Sequence, residues 1–265
     1  MSSMSVSDAT LPVVRTGRVY AMVKPVLWMA VGLLAIEALV VGLDISPYYL
    51  PRPSAIAANI LATPSAYLAG LWRTFLETAL GFVTGSLFGV FMAVIFHRWR
   101  ALRELFFPLF IVSQTIPVIA FGAVVVLWFG NTLLAKAVIS FYISFLPVTV
   151  NTLLGFSAVD PRQVQLMRSF GARDGQILRR LYLPAALPQL FVALKLASSL
   201  ALVGAIVGEW FGDTTGLGVL LLQAMYNENV VGIWATIVVS ACLGMGLYGL
   251  VSFAERKIVF WGNEQ

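Results

Sequence analysis

Apolar stretches of about the length of a membrane span recur along the chain, separated by polar connections. Six segments approach the roughly 20 residues that a helix needs to cross a bilayer. They are 26–43, 74–96, 105–129, 133–156, 187–207 and 230–253. Because lipid offers no partner for backbone N–H and C=O groups, we predict helices here rather than strands. The pattern therefore predicts an all-α fold, a polytopic membrane protein with about six transmembrane helices.

Two of the connections between these segments are long. The one at 44–72 is predicted to be external. After its Pro53-Ser54 pair, apolar residues recur at helical spacing, which predicts a short amphipathic helix at the membrane surface. The other long connection, 157–186, follows the fourth predicted span.

Composition agrees with lipid as the natural solvent. Hydrophobic residues make up 60% of the chain and charged residues 11%, with a mean hydropathy of +0.91, whereas a soluble domain carries roughly 25% charged residues. One cysteine, Cys242, and one histidine, His97, are too few for a disulfide or a typical metal centre. No Gly-Lys pair occurs, so the chain lacks the phosphate-binding loop of ATPases. We expect a non-catalytic chain without cofactor or metal.

Basic residues are distributed unequally between the two sides of the membrane. With six spans both termini lie on one side, and that side holds 13 of the 17 Lys and Arg residues. The opposite side holds Arg52, Arg73 and Lys136. The positive-inside rule therefore predicts cytoplasmic termini. We predict a cytoplasmic N-terminal tail 1–25, a transmembrane domain 26–256 and a cytoplasmic C-terminal tail 257–265.

The cytoplasmic connection 157–186 is predicted to contain two short helices. Asp160 and Pro161 are favourable starting residues, and Gly171 is a favourable C-terminal stop. The apolar residues of the two helices are Val164, Met167 and Phe170, then Ile177, Leu178, Leu181 and Tyr182. Leu183-Pro184 is expected to end the second helix. An apolar helix face outside the membrane needs a cover, which favours a docking element for a cytoplasmic partner. A solvated basic loop is the alternative.

Polar residues within the predicted spans are candidates for a solute pathway, because charge in lipid is costly. In the third span Gln114 and Thr115 precede Pro117, where a break in the helix either lines a cavity or forms a packed kink. Glu37 lies near the middle of the first span, with a structural hydrogen bond as the alternative. We predict a translocation pathway that includes Glu37, Gln114, Thr115 and Pro117. Whether Glu77 and Lys195 line it or are structural stays open.

The second predicted span carries Gly81, Gly85 and Gly89 at four-residue intervals. Small residues at this spacing let two helices approach closely in lipid. The partner helix belongs either to the same chain or to a second copy.

The 157–186 connection resembles a known element. Gly171-Ala172-Arg173, followed by Leu-Pro-Ala-Ala-Leu-Pro at 183–188, resembles the cytoplasmic loop of binding-protein-dependent ABC importer permeases. In that family a Glu-Ala-Ala-x-x-x-Gly segment forms the coupling helix that binds the ATPase subunit. Here Gln165, Leu166 and Met167 stand at the Glu-Ala-Ala positions. The resemblance implies an ATPase-coupling loop of Gln165, Leu166, Met167, Phe170, Gly171, Ala172, Leu183 and Pro184.

The resemblance extends over nearly the whole chain. Further segments are similar to the sulfonate, taurine and nitrate importer branch and to related pyrimidine and thiamine-precursor permeases. They are Leu-Trp-Phe-Gly at 127–130 with Lys136, Gly-Glu-Trp at 208–210, Gly-Leu-Gly at 216–218 and Leu-Pro-x-Pro-Ser at 50–54.

Membership of that family would imply a permease subunit of an ATP-driven importer in the bacterial inner membrane. Its implied partners are a second copy of itself, two cytoplasmic ATP-binding subunits and an extracytoplasmic solute-binding protein, and its solute would be small and polar or anionic. An ion-gradient-driven secondary transporter is the alternative, but such proteins tend to contain inverted repeats, and none is visible here. A membrane-embedded enzyme would need paired catalytic groups that the chain does not supply.

Overall fold

The computed structural model describes residues 16–259, without the side chains of 16–23, 25 and 26. These residues form two compact units, one ending at Ala58 and the other beginning at Asn59. The first unit contains helix α1 (Thr16–Gly42) and the start of α2 (Pro53–Ala62). Helix α1 begins ten residues before the predicted span and so includes part of the predicted N-terminal tail. The remainder of both predicted tails lies outside the described residues, apart from the last turn of the final helix.

The second unit is built entirely of helices in the described part of the chain. Its helices are α3 (Pro64–Arg98), α4 (Arg100–Ser113), α5 (Val118–Phe129), α6 (Leu133–Ser157), α7 (Pro161–Ser169), α8 (Asp174–Ile177), a π-helical turn π1 (Leu178–Tyr182), α9 (Leu183–Glu209), α10 (Leu217–Tyr226) and α11 (Val230–Ile258). The prediction of an all-α fold is confirmed.

Four helices are long and apolar enough to cross a membrane. They are α3, α6, the continuous run Asp174–Glu209 and α11. Helices α4 and α5 would form a fifth, broken span, since their axes are bent by 97° at the short segment that joins them. The third predicted span, 105–129, is therefore two helices and not one. The structure is that of a polytopic membrane protein with four or five such spans among residues 16–259.

Two helix assignments differ from the sequence prediction. Helix α3 begins at Pro64, ten residues earlier than predicted, because proline is favoured at the first helical position. Much of the predicted external connection 44–72 is thus helical, and it includes the predicted short helix after Pro53. Helix α10 was not predicted at all, because its ten residues are too few to give the hydropathy of a full span.

Helices α3, α6 and α9 pack together at the centre of this unit. A Cβ atom added at Gly81 would lie 2.7 Å from the carbonyl oxygen of Ala137, and one at Gly89 would lie 2.7 Å from that of Phe145. Both carbonyls belong to α6. Of the two partners left open for the glycine row, the structure places a helix of the same chain against it.

The expected break at Leu183-Pro184 is wrong. The chain runs from α8 through π1 into α9 as one helix. The N–H of Leu183 bonds to the carbonyl of Leu178, five residues back, as in a π-turn. This wider turn occupies the register just before Pro184, where the proline ring would otherwise collide with an α-helical carbonyl.

Candidate functional site

Helix α7 begins as the sequence predicts. The Asp160 carboxylate accepts a hydrogen bond from the N–H of Arg162, at 2.8 Å. Pro161 occupies the first helical position, where its missing N–H costs nothing. The helix start is therefore specified by two adjacent residues.

The end of α7 is set by Gly171, which has a positive φ of 77°. The N–H of Gly171 bonds to the carbonyl of Arg168 at 2.9 Å, and that of Ala172 bonds to the carbonyl of Met167 at 3.0 Å. This pair of bonds is a Schellman motif, which satisfies the last carbonyls of a helix and favours glycine at the left-handed position. The predicted helix end is confirmed.

The exposed apolar side chains of α7 are Leu166 and Phe170, 58% and 83% exposed. They lie four residues apart and therefore on one face. Val164 and Met167 are half-buried, so of the three predicted apolar residues of α7 only Phe170 is exposed. The helix turns those two residues inward, and Val164 lines a cavity beside the last turn of α3.

The segment after α7 is fixed to the ends of α3 and α6. The Asp174 carboxylate pairs with Arg98 at 3.3 Å and with Arg168 at 3.4 Å. The ring of His97 lies 4.2 Å from that of Tyr182 and 5.0 Å from that of Phe156. The 157–186 connection is therefore held in a defined orientation rather than being a free loop.

The other residues assigned to the coupling loop occupy mixed environments. Gln165 is exposed, whereas Ala172, Leu183 and Pro184 are half-buried. Leu183 and Pro184 form the start of α9 and not a separate break. The exposed members of the predicted coupling loop therefore lie on α7 and at the turn of Gly171.

The pathway candidates Gln114, Thr115 and Pro117 lie together in the bend between α4 and α5. The side-chain amide of Gln114 donates to the carbonyl of Tyr142 on α6, at 2.8 Å. The hydroxyl of Thr115 donates to the carbonyl of Val112, at 2.8 Å. Gln114 is half-buried, whereas Thr115 and Pro117 are exposed. The bend is thus attached to α6 through Gln114 and presents Thr115 on its surface.

Glu37 lies in the other unit and has a local partner. Its carboxylate accepts hydrogen bonds from the N–H of Ser54 at 3.0 Å and from the Ser54 hydroxyl at 2.7 Å. These bonds satisfy donors at the start of α2, as a capping residue would. The structural alternative for Glu37 therefore has direct geometric support, and its pathway role stays a prediction.

Lys195 also has a partner of opposite charge. Its Nζ lies 2.5 Å from Glu255 of α11, and both side chains are about one-fifth exposed. The pair joins two neighbouring helices, which favours the structural alternative for Lys195.

Glu77, by contrast, belongs to a buried charge cluster where the ends of several helices meet. The cluster consists of Arg73, Thr74 and Glu77 of α3, Lys136 of α6, Glu209 of α9, and Asp213 in the connection to α10. Lys136 and Glu77 are fully buried and Glu209 is 1% exposed. Sequence reasoning recognised Lys136 and Glu209 only as parts of family motifs and did not assign this cluster.

Glu209 accepts a hydrogen bond at each carboxylate oxygen. Thr74 donates to Oε1 and the N–H of Gly218 donates to Oε2. The Thr74 hydroxyl in turn accepts from the N–H of Leu217, at 2.9 Å. A Cβ atom at Gly216 or Gly218 would overlap the Glu209 side chain. The Gly-Leu-Gly motif therefore forms a close-fitting cradle for this carboxylate.

Ion pairs connect the rest of the cluster. Lys136 Nζ lies 2.9 Å from Asp213 Oδ2 and also donates to the Asn131 side chain. Arg73 lies 2.8 Å from Glu77 and 3.8 Å from Asp213. Buried charges require such partners, because desolvation of an isolated ion is very costly.

Asp213 has a pKa below its ordinary value of 3.8. Burial alone would raise this pKa, but the adjacent ammonium group of Lys136, the N–H of Thr214 and the charge of Arg73 together lower it. Its contribution to stability is therefore present above pH 3.8 and is lost as the pH falls through the lower folded-state pKa.

Several apolar helices long enough to span a bilayer, with an exposed helix in the connection before α9, define a polytopic membrane protein. The chain belongs to the family of binding-protein-dependent transport system inner membrane components, whose family model matches residues 85–260. It is accordingly a permease subunit of an ABC importer, as the sequence resemblance predicted.

Relatives of similar length support this assignment. The formylaminopyrimidine transport permease protein ThiX of Halalkalibacterium halodurans is 30% identical over 94% of this chain and 99% of its own. The putative aliphatic sulfonates transport permease protein SsuC of Bacillus subtilis is 27% identical over 92% of this chain and 89% of its own. The resemblance to the sulfonate and pyrimidine-precursor branch is confirmed.

A solved structure supports the fold alone. An inward-facing MetNI methionine ABC transporter chain aligns with a TM-score of 0.66 and 19% identity, covering 74% of this chain and 98% of its own.

Proposed function

We propose that two copies of this chain form the membrane pore of an importer and that two cytoplasmic ATPase subunits drive it through α7. The observation that carries this proposal is the exposed apolar pair on α7, Leu166 and Phe170, on a helix whose start and end are fixed by local bonds. An exposed apolar patch on an ordered helix favours a protein partner. ATP is bound and hydrolysed by the partner, and this chain contributes no covalent chemistry.

Alternating access follows from this arrangement. ATP binding brings the two ATPase subunits together, and each α7 moves with the subunit that binds it. Since α8, π1 and α9 form one continuous helix that follows α7 after the turn at Gly171, that motion reaches the membrane helices. The pathway then switches between inward-open and outward-open states by rigid-body movement.

The proposed solute is small and polar or anionic, of the sulfonate, taurine, nitrate or pyrimidine and thiamine-precursor type. The relatives named for formylaminopyrimidine and aliphatic sulfonates support this range. An extracytoplasmic solute-binding protein would select within it. Calorimetry with that binding protein, titrated with each solute class, identifies the solute.

The left-handed conformation at Gly171 provides the test of ATPase coupling. We expect Gly171→Val to leave the chain in the membrane but to weaken ATPase association and uptake, because a side chain there is strained by roughly 1–2 kcal/mol. Gly175→Val is the matched control, since a Cβ meets nothing within 4 Å at either glycine and only Gly171 has a positive φ. Co-purification with the ATPase and solute uptake are measured together. Normal coupling in Gly171→Val would contradict the proposal, and ATP-independent uptake would favour a secondary transporter.

We propose six spans, with α1 as the first and the α4–α5 pair as the broken third, and with both termini in the cytoplasm of a bacterial inner membrane. The unequal distribution of basic residues supports this orientation. In a Cys242→Ser background, a cysteine at Arg173 should resist an impermeant thiol reagent in intact cells. One at Asn227 should react with it. Labelling of a cysteine at position 173 from outside the cell would show that the orientation is opposite to the one proposed.

Thr115 provides the test of the pathway, because its exposed side chain makes its one described hydrogen bond to the carbonyl of Val112, in the last turn of α4. We propose that the bend carrying Gln114, Thr115 and Pro117 lines the solute route. Thr115→Trp should then block uptake while assembly and basal ATP hydrolysis persist. The control is Ile119→Trp, at an exposed apolar position one turn later. If Thr115→Trp took up solute at the wild-type rate, the bend would not line the pathway.

A further inference from the structure

The buried charge cluster contains more carboxyl groups than cations. Its positive groups are Arg73 of α3 and Lys136 of α6. Its acidic groups are Glu77 of α3, Glu209 of α9 and Asp213 of the following connection. Glu77, Glu209 and Lys136 are buried, whereas Arg73 and Asp213 are half-buried. If all five were ionised, the cluster would have a net charge of −1. A net charge without a counterion is strongly disfavoured away from water, so either one carboxyl group holds a proton or a cation is bound.

Two of the three carboxyl groups have the surroundings of an ion. Both oxygens of Glu209 accept hydrogen bonds, one from the Thr74 hydroxyl and one from the N–H of Gly218. The Thr74 hydroxyl donates its one proton to Glu209 and accepts from the N–H of Leu217. Asp213 lies between the two cations, 2.9 Å from Lys136 and 3.8 Å from Arg73.

Glu77 has different surroundings. Its side chain is fully buried, and neither of its oxygens receives a hydrogen bond. Arg73 Nε lies 2.8 Å from Glu77 Oε1, but its N–H is not directed at that oxygen, so the two form an ion pair without a hydrogen bond. The Glu209 carboxyl is a second neighbour, and Asp213 adds a further negative charge nearby. Two carboxyl groups bond to each other only when one of them has a proton to donate.

We propose that Glu77 is a proton-binding site: its carboxyl group is neutral and donates its proton towards the ionised Glu209. The ligand is thus a single proton, which balances the two cations against Glu209 and Asp213. A divalent metal is a poorer fit, since no group of three His, Cys, Asp or Glu side chains within residues 16–259 is arranged to hold one. The proposal does not depend on which solute the importer moves.

The proton has a structural consequence. The cluster joins α3, α6, the end of α9 and the start of α10. Loss of the proton would place two carboxylates side by side in a buried site, where like charges repel strongly. Rising pH should therefore loosen the contact between these helix ends.

A vibrational measurement tests the proposal directly on the wild-type chain. Infrared spectra of the purified protein near neutral pH should contain the C=O band of a protonated carboxylic acid, and isotope labelling of glutamate should shift it. The band should be absent from Glu77→Gln and should disappear from the wild type at high pH. A wild-type spectrum at neutral pH without this band would overturn the proposal, whether or not any variant folds.

Thermal unfolding in detergent gives the second readout. The Tm of the wild type should fall as the pH rises above neutrality, because the folded state holds a proton that the unfolded chain has lost. Glu77→Gln, which mimics the neutral acid, should keep a near-normal Tm at neutral pH and lose this alkaline decline. Glu209→Gln should lower the Tm at every pH, since an amide cannot accept at both positions.

Two further outcomes would contradict the proposal. An equal loss of Tm in Glu77→Gln and Glu209→Gln at neutral pH would mean that Glu77 acts as an ion. A Tm that rises with sodium but not with potassium, and that loses this rise in Glu77→Gln, would make the ligand a metal cation.

Discussion

Lys136→Met should greatly reduce the amount of folded protein. The ammonium group is fully buried against Asp213, and removing one member of a buried ion pair costs about 3–5 kcal/mol because the other charge stays behind without a partner. Asp213→Asn should have a similar effect. The double variant Lys136→Met/Asp213→Asn should recover part of the loss, since it removes both charges. Thermal unfolding of the purified chain measures all three.

The exposed pair Arg100–Glu104 provides the control for this prediction. Its separation, 2.7 Å, resembles that of the buried pair, but its side chains are 91% and 65% exposed. Exposed pairs contribute about 0–1 kcal/mol, so Arg100→Met should leave the Tm nearly unchanged. A Lys136→Met protein as stable as Arg100→Met would show that the buried pair does not stabilise the helix ends.

Gly81→Val should separate α3 from α6 and prevent normal folding. An added Cβ would lie 2.7 Å from the carbonyl oxygen of Ala137 and 2.9 Å from the backbone nitrogen of Phe141. Both are backbone atoms of a central helix, which cannot move aside as a flexible side chain would. Overpacking of this kind costs about 1–3 kcal/mol or more. Yield and Tm of the purified chain measure the effect.

Gly249→Val is the matched control, because the same substitution in α11 meets nothing within 4 Å. It should be tolerated in the isolated chain. Equal yields of the two variants would refute the close packing of the glycine row against α6.

The sequence allowed the long helices to be predicted because lipid requires an apolar run of a fixed minimum length. The same requirement explains why α10 was missed, since its ten residues are too short to register as a span. The start and end of α7 were predictable from Asp160, Pro161 and Gly171, because each acts through bonds within a few residues. At Pro184 the local rule failed because a π-turn accommodates the proline.

The buried charge cluster was not predictable for a different reason. Its charged groups come from three helices and one connection, and Thr74 and Glu209 are 135 positions apart in the sequence. The sequence alone left open whether Glu77 lines the pathway or is structural. Only the packing of α3 against α6 and α9 shows that it is fully buried beside other charges. The motif residues Lys136 and Glu209 were visible in the sequence, but their shared location was not.

One continuous helix, Asp174–Glu209, links the cytoplasmic partner surface proposed here to the buried charges at its far end. At 1.5 Å per residue its 36 residues span about 54 Å. Near its far end, Gly204 brings it so close to α6 that an added Cβ would lie 2.8 Å from the Cα of Ser140. Its other end is held in the same way, since a Cβ added at Gly155 of α6 would lie 2.6 Å from the Cα of Ala186. A helix packed against its neighbour near both ends behaves as a rigid rod, so a displacement that moves it at Asp174 also moves Glu209.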